Sequence, residues 1–216
     1  AYSSISHMNF LLIGLFSGTP MGYIGSVIYM IAHGITSSAL FILIGFLYDR
    51  YHIRNISYFG GLASVMPIFS FFWIIFNLSN ASFPMTGNFA GEFLVFCGIA
   101  DENLSILFLV LLSFIVTMGY TALIISKVNF GTIKINAFTL FRDLTSREFF
   151  IVTVLFVASL LIGIFPSIIT TILEPTMVLT TEHIFFSPLN ADLREAVDNM
   201  SIFEQDRVRR EILGLE

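Results

Sequence analysis

Charged residues are scarce in this 216-residue chain, and Lys, Arg, Asp and Glu together make up only 12% of it. Soluble domains carry about 25% charged residues. Residues 1–48 contain none at all, while 56% of the whole chain is hydrophobic. One soluble globule of this length cannot bury so much apolar surface, so the bilayer must act as solvent. The composition therefore predicts an all-α membrane protein that crosses the bilayer several times.

Other features that the sequence lacks narrow its function. Cys97 is the single cysteine, which excludes an internal disulfide framework. The sequence has no Cys/His spacing typical of a metal site, no nucleotide-binding loop and no Ser-His-Asp arrangement. A net charge of −5 gives no indication of a nucleic-acid partner. We therefore expect membrane lipids as partners, and neither a metal nor a cofactor in this chain.

Six transmembrane spans are expected, because a spanning helix needs roughly 20 mostly apolar residues and the sparse charges separate such stretches. The third and fourth belong to one apolar stretch, which Pro84 and Gly87 should break because proline removes a backbone donor and clashes with the preceding turn. The expected spans are about 1–17, 22–48, 62–82, 87–100, 104–127 and 148–172.

The C-terminal part has a different character. Residues 174–190 are expected to be a linker, and 191–216 an amphipathic helix, since Leu193, Val197 and Met200 recur at helical spacing. The 128–147 connection is rich in Lys and Arg, so the positive-inside rule places it in the matrix or cytoplasm. With six spans, the tail then lies on the intermembrane-space or periplasmic side.

Glu92 is the residue most indicative of function, because a carboxylate inside a span costs about 2.5–3.5 kcal/mol on insertion scales. Such residues persist where they face a wet cavity or a partner, as in proton relays. Asn88 adds a polar side chain one turn before Glu92. The alternative is a neutral, protonated Glu92 that only hydrogen-bonds a neighbouring helix.

His7 and His33 also lie inside charge-free helices. Histidine titrates near neutrality and can pass a proton through either ring nitrogen. Ser37 and Ser38, close to His33, could hold ordered water. Lys127, at the end of the fifth span, is a further candidate for the proton path, although a Lys at that position usually snorkels to the membrane surface. Alternatively, each histidine bridges two helices and never titrates.

Several long segments resemble the antiporter-like subunits of respiratory complex I. Residues 1–8 (AYSSISHM) are similar to the start of that family's ninth helix, and residues 30–41 (MIAHGITSSALF) to the next one. Residues 47–50 (LYDR) and 60–62 (GGL) match its end and the following loop. Residues 83–93 (FPMTGNFAGEF) resemble the broken helix near the proton exit. The resemblance covers about residues 1–173, which would form a transmembrane half-channel.

This resemblance implies proton translocation coupled to quinone reduction. Glu92 would be the key carboxylate of the half-channel, with His7 and His33 on its central hydrophilic axis. NADH, FMN, iron–sulfur clusters and ubiquinone would be held by other subunits. The family's first eight helices have no counterpart here, so a separate N-terminal half is an expected partner beside the other membrane-arm subunits. The implied location is the mitochondrial inner membrane.

Two alternatives stay open at this point. Subunits of multi-subunit cation/proton antiporters share the fold and many of these motifs. A non-transporting membrane scaffold would also keep the apolar spans, but it would not need Glu92.

Overall fold

The computed structural model describes residues 2–102, 104–131 and 142–185. Within these ranges the chain is helical, with no strand, as the composition predicts. The helices are α1 (Tyr2–Phe16), α2 (Pro20–Tyr51), α3 (Leu62–Val65), α4 (Pro67–Asn80), α5 (Gly87–Glu102), α6 (Leu104–Asn129), α7 (Ser146–Ile164) and α8 (Ser167–Phe185), with one 3-10 turn at Ile56–Tyr58.

Three of the described helices are long and apolar enough to cross a bilayer, namely α2, α6 and α7. Two shorter apolar helices, α4 and the Gly87–Ala100 part of α5, pack among them. Large apolar side chains point outward along α6, including Phe108, Leu109, Leu112 and Ile115. Such an extended exposed apolar surface is typical of a protein whose solvent is lipid. The all-α, multi-pass architecture is therefore confirmed.

Proline positions explain where the expected span boundaries were wrong. The third span, expected as one helix over 62–82, is two helices, because Pro67 starts α4 after the short α3. The sixth span, expected over 148–172, ends at Ile164, and Pro166 separates α7 from α8. Proline cannot donate the hydrogen bond that a continuous helix needs.

The expected linker also differs from the structure. Residues 174–190 are expected to be a linker, but α8 continues through Pro175 to Phe185. The remaining linker residues and the predicted amphipathic tail, 191–216, lie outside the described residues. The interruption expected at Pro84 is present, because α4 ends at Asn80 and α5 begins at Gly87.

The helix starts follow from local sequence. Thr19 caps α2, accepting a hydrogen bond from Gly22 N at 3.1 Å, and Pro20 occupies the first turn, where its missing N–H is no loss. Thr145 and Glu148 form a reciprocal capping box at the start of α7. These caps satisfy backbone N–H groups that have no partner within the first turn of a helix.

Asp143 caps α4 from a distance of more than seventy residues along the chain. Its carboxylate accepts hydrogen bonds from Ile68 N at 2.9 Å and Phe69 N at 3.0 Å. Arg50, in the last turn of α2, donates to Glu148 at 2.5 Å and to the Asp143 backbone oxygen at 3.3 Å. These contacts fix the ends of α2, α4 and α7 against one another.

Glycines let α2 and α5 cross with their backbones nearly in contact. A Cβ atom at Gly91 would lie 2.6 Å from Tyr29 N, and one at Gly98 would lie 2.6 Å from Gly22 N. A Cβ at Gly25 would lie 2.7 Å from Val95 N. Small residues at helix crossings allow the close van der Waals packing on which helix association in membranes depends. The crossing brings the side chains that flank it into one buried space.

We expect Gly91→Ala to destabilise the folded chain by about 1–3 kcal/mol, because the added methyl group would overlap the α2 backbone and force the helices apart. Gly119→Ala on α6 is the matched control, since a Cβ there meets nothing within 4 Å. The midpoint of thermal unfolding of the detergent-solubilised protein measures both. Equal midpoints for the two variants would contradict the close approach.

We expect Asp143→Ala to cost about 1–2 kcal/mol of stability, because two N–H groups at the start of α4 lose their acceptor. Asp49→Ala, which removes an exposed carboxylate from the end of α2, should change stability by less than about 0.5 kcal/mol. The midpoint of thermal unfolding of the detergent-solubilised protein distinguishes the two variants. A variant of Asp143 as stable as the control would show that this cap contributes nothing.

Candidate functional site

The two histidines singled out by the sequence lie together at the centre of the bundle. His7 on α1 and His33 on α2 are both 4% exposed, and their ring centroids are 5.0 Å apart. Tyr29, one turn before His33, places its hydroxyl 2.6 Å from His7 Nδ1. The three aromatic rings therefore form one polar cluster between α1 and α2, although the histidines are 26 residues apart in sequence.

Glu92 faces this cluster from α5. The residue is 7% exposed, and its Oε2 atom is buried without a hydrogen-bond partner among the described residues. Its carboxyl group is close enough to Tyr29 and Tyr120 to act on both electrostatically, and the buried Ser82 side chain also lies near it. A buried carboxyl group with so few partners is poised to gain or lose a proton, or to meet a water molecule.

Ser82 belongs to the break between α4 and α5. Its backbone is left-handed, with φ at 52°, and Met85 in the same break has φ at 73°. Such conformations are uncommon for residues other than glycine and persist where the surrounding structure determines them. Ser82 is itself buried and lies near both Glu92 and Tyr29.

Asn88 extends the polar region one turn along α5. It is fully buried, and its Oδ1 accepts a hydrogen bond from Thr36 Oγ1 of α2 at 3.4 Å. The Thr36 hydroxyl also lies 3.3 Å from Ser79 Oγ of α4, which lies 3.4 Å from Ser159 Oγ of α7. Four helices thus contribute to one chain of hydroxyl and amide groups beside the Glu92 carboxyl group.

Several polar atoms in this region have no hydrogen-bond partner in the described part of the chain. They are His7 Nε2, His33 Nδ1, Asn88 Nδ2 and Glu92 Oε2. Buried polar atoms are normally paired with protein groups or with ordered water, because leaving them unpaired costs free energy. Buried atoms of this kind are suited to hold ordered water molecules.

A cavity of about 740 Å³ lies between α1, α2, α4 and α6. Its inner end includes Tyr120, which interacts with Glu92, and its outer end reaches Arg54 beyond the end of α2. Most of its surface is apolar, but polar side chains are contributed by every one of the four helices: Ser3, Ser4, Ser37, Asn77, Asn80 and Thr121. The cavity extends from Tyr120 to one end of the bundle.

The other predicted site residues lie in different settings. Ser37 is half-buried on the cavity wall, whereas Ser38 is exposed and donates to Gly34 O of its own helix at 2.7 Å. Lys127 is exposed in the last turn of α6. Pro84 is exposed within the break, and Gly87 packs against Ala32 and Ile162. Ser37 and Asn88 therefore lie beside the cavity and the buried site, whereas Ser38 and Lys127 lie on the exposed surface.

Tyr29 and Ser82 are site residues that sequence reasoning missed. In the sequence, Tyr29 is one aromatic residue in an apolar run, and Ser82 is one hydroxyl-bearing residue in an expected loop. One available signal was the spacing of Tyr29 and His33, four residues apart and therefore on the same helix face. The part of the chain that the structure describes contains no group of three or more His, Cys, Asp or Glu residues suited to a metal ion.

The fold and the site define a class of protein: a multi-pass membrane helix bundle with a buried, ionisable centre beside an interrupted helix. The chain belongs to the family described as NADH:quinone oxidoreductase/Mrp antiporter, transmembrane, whose sequence model matches residues 1–121. The resemblance inferred from the sequence motifs is thereby confirmed.

Individual relatives agree with this assignment. The chain is 41% identical over 167 residues to NADH-ubiquinone oxidoreductase chain 4 of Chondrus crispus, an alignment covering 77% of this chain and 34% of the relative. It is 33% identical over 177 residues to NADH-quinone oxidoreductase subunit M of Rhodobacter capsulatus, covering 82% and 35%. The chain thus spans about a third of the length of the curated relatives it matches.

A solved structure shares the fold. One chain of respiratory complex I from Thermus thermophilus with bound NADH superposes with a TM-score of 0.77 at 29% sequence identity. The match covers 84% of this chain and 38% of that chain. The helix arrangement described above is therefore that of a complex I subunit.

Proposed function

We propose that this chain is the C-terminal part of a proton-translocating membrane-arm subunit of NADH:ubiquinone oxidoreductase, corresponding to chain 4 and to the bacterial subunit M. It would carry no redox chemistry of its own, and NADH, FMN, iron–sulfur clusters and ubiquinone would belong to other subunits. The single observation that carries the proposal is the buried Glu92 carboxyl group, set beside a break in the helices and near Tyr29, whose hydroxyl lies 2.6 Å from His7 Nδ1.

The proposed chemistry is proton transfer between groups at membrane depth. His7 and His33 would relay protons along the bundle centre, each through its two ring nitrogens. Glu92 would exchange a proton with the exit side, where the cavity ending near Arg54 offers a route out of the bundle. Non-helical backbone at membrane depth is tolerated where it is buried in protein or lines a cavity, which suits the break around Ser82.

The proposed partners follow from the same assignment. The chain would bind other membrane-arm subunits of complex I and a polypeptide that supplies the N-terminal half of the same subunit, within the mitochondrial inner membrane. Its C-terminal tail would lie on the intermembrane-space side, where its apolar stripe would dock on a neighbouring subunit. The name of the family also includes antiporters, and a subunit of a multi-subunit cation/proton antiporter is the rival function.

We expect Glu92→Gln to lower the number of protons translocated per NADH oxidised, because the amide fits the same space but cannot ionise. The variant subunit should still be present in the complex at the normal amount. Glu174→Gln, on the exposed side of α8, is the matched control and should leave pumping unchanged. Normal pumping by an assembled Glu92→Gln complex would favour a scaffold without transport function.

The partners can be tested on solubilised membranes. We expect a native gel stained for NADH oxidation to contain this chain in a large complex, and mass spectrometry of the same band to find a peptide carrying the N-terminal half. Migration in a complex without flavin or iron–sulfur subunits would favour the antiporter and exclude complex I.

A further inference from the structure

We propose that the cavity between α1, α2, α4 and α6 binds an anionic phospholipid, with one acyl chain inside the cavity and the phosphate group at Arg54. This site goes beyond the proposed proton-translocating function and does not depend on it. Arg54 is the one charged residue among the described residues that line the cavity. It is exposed, and within the described part of the chain it forms no ion pair. A phosphate group therefore has an available cationic partner at this end.

The outer part of the cavity is suited to hydrocarbon. Its α2 wall runs from Ser37 to Tyr48, a length of about 16 Å at 1.5 Å per residue. Large apolar side chains from three parts of the chain line it, among them Phe41, Ile44, Ile53, Phe59 and Ile124. The volume of about 740 Å³ falls within the range of about 300–1,000 Å³ that is usual for small-molecule sites. Three turns of a helix about 10 Å across would need about 1,300 Å³, so an acyl chain fits better than a further helix.

The rim of the cavity positions the charge of Arg54. The Arg54 guanidinium carbon lies 4.9 Å from the centroid of the Tyr48 ring, and the His52 ring packs edge-on against that same ring at 5.5 Å. Stacking on an aromatic face holds a guanidinium group through a cation–π interaction, while its N–H groups remain able to donate to phosphate oxygens. Because Tyr48 itself lines the cavity, the cation is held at the entrance.

Trp73 supplies a second recognition element inside the cavity. Its side chain is 7% exposed, and its indole Nε1 has no hydrogen-bond partner among the described residues. An indole N–H can only donate, and a buried donor normally has an acceptor. Trp73 lies about 9 Å along α4 from Pro67, so it is deeper than the rim. The ester carbonyl groups of a phospholipid lie below its phosphate and are acceptors of the required kind.

The fluorescence of Trp73 tests this site directly, because Trp73 is the one tryptophan in the chain. The purified full chain is placed in detergent micelles with phosphatidylglycerol that carries bromine atoms, which quench tryptophan on contact, along its acyl chains. We expect saturable quenching of the wild type. Gly45→Leu should abolish most of it, since Gly45 lines the cavity and a Cβ there meets nothing within 4 Å.

Gly34→Leu is the matched control for this substitution. Gly34 lies on the same helix, and a Cβ there also meets nothing within 4 Å, but the residue does not line the cavity. Its quenching should equal that of the wild type. Equal quenching of Gly45→Leu and Gly34→Leu would overturn the site. The midpoints of thermal unfolding of the two variants show whether both are folded.

The headgroup preference is tested separately with Arg54→Gln, which leaves the cavity itself unchanged. In the wild type, half-maximal quenching should need about fivefold less brominated phosphatidylglycerol than brominated phosphatidylcholine. Arg54→Gln should remove this preference. Arg147→Gln, which neutralises an exposed arginine at the start of α7 that does not line the cavity, should keep it. A wild type that binds both lipids equally would overturn the assignment of the phosphate to Arg54.

Occupancy in the assembled protein is tested in native membranes. Phosphatidylglycerol with a photoactivatable group in its acyl chain is added and irradiated, and adducts are located by mass spectrometry. We expect an adduct on Trp73 that is lost in Gly45→Leu and kept in Gly34→Leu. The absence of an adduct on Trp73 in the wild type would show that water or a segment of another polypeptide fills the cavity, and would overturn the proposal.

Discussion

The close crossing of α2 and α5 is the contact on which the rest of the site depends. Gly91 allows the two backbones to approach until a single methyl group would overlap Tyr29. Without a hydrophobic driving force between helices in lipid, such tight packing is what holds them together. The same crossing brings Tyr29 of one helix close to Glu92 of the other. The close approach of α2 and α5 therefore determines both how the two helices pack and which of their side chains meet in the site.

The helices around the polar centre are tied to one another at both ends. At one end, Arg50, Asp143 and Glu148 join α2, α4 and α7 through an ion pair and a helix cap. A half-buried ion pair contributes little by itself, but here it fixes three helix ends at once. Near the break, Gly163 of α7 packs directly on the Met85 backbone. This support holds an interrupted backbone where lipid could not satisfy it.

The sequence predicted the helical class, the buried candidates and the break at Pro84, because apolar runs, lone charges and proline act locally. It did not predict that Pro67 and Pro166 also end helices, since proline inside an apolar run can either kink or terminate a helix. The meeting of His7 with His33 depends on how α1 and α2 pack, which no local pattern encodes. Tyr29 was missed for the same reason, as its role appears only in the contact with His7.

The interruption around Ser82 makes polar groups available inside the bundle. A continuous helix forms its own backbone hydrogen bonds, so few of its backbone groups are available for transport. A break leaves backbone polar groups at membrane depth without helical partners. In this chain the freed region carries Ser82 and Thr86, both buried, beside the helix that carries Asn88 and Glu92. Each of these groups can accept or donate a hydrogen bond. The break thus supplies the polar surroundings that an ionisable side chain inside the bilayer requires, while α2 supplies Tyr29 close to it.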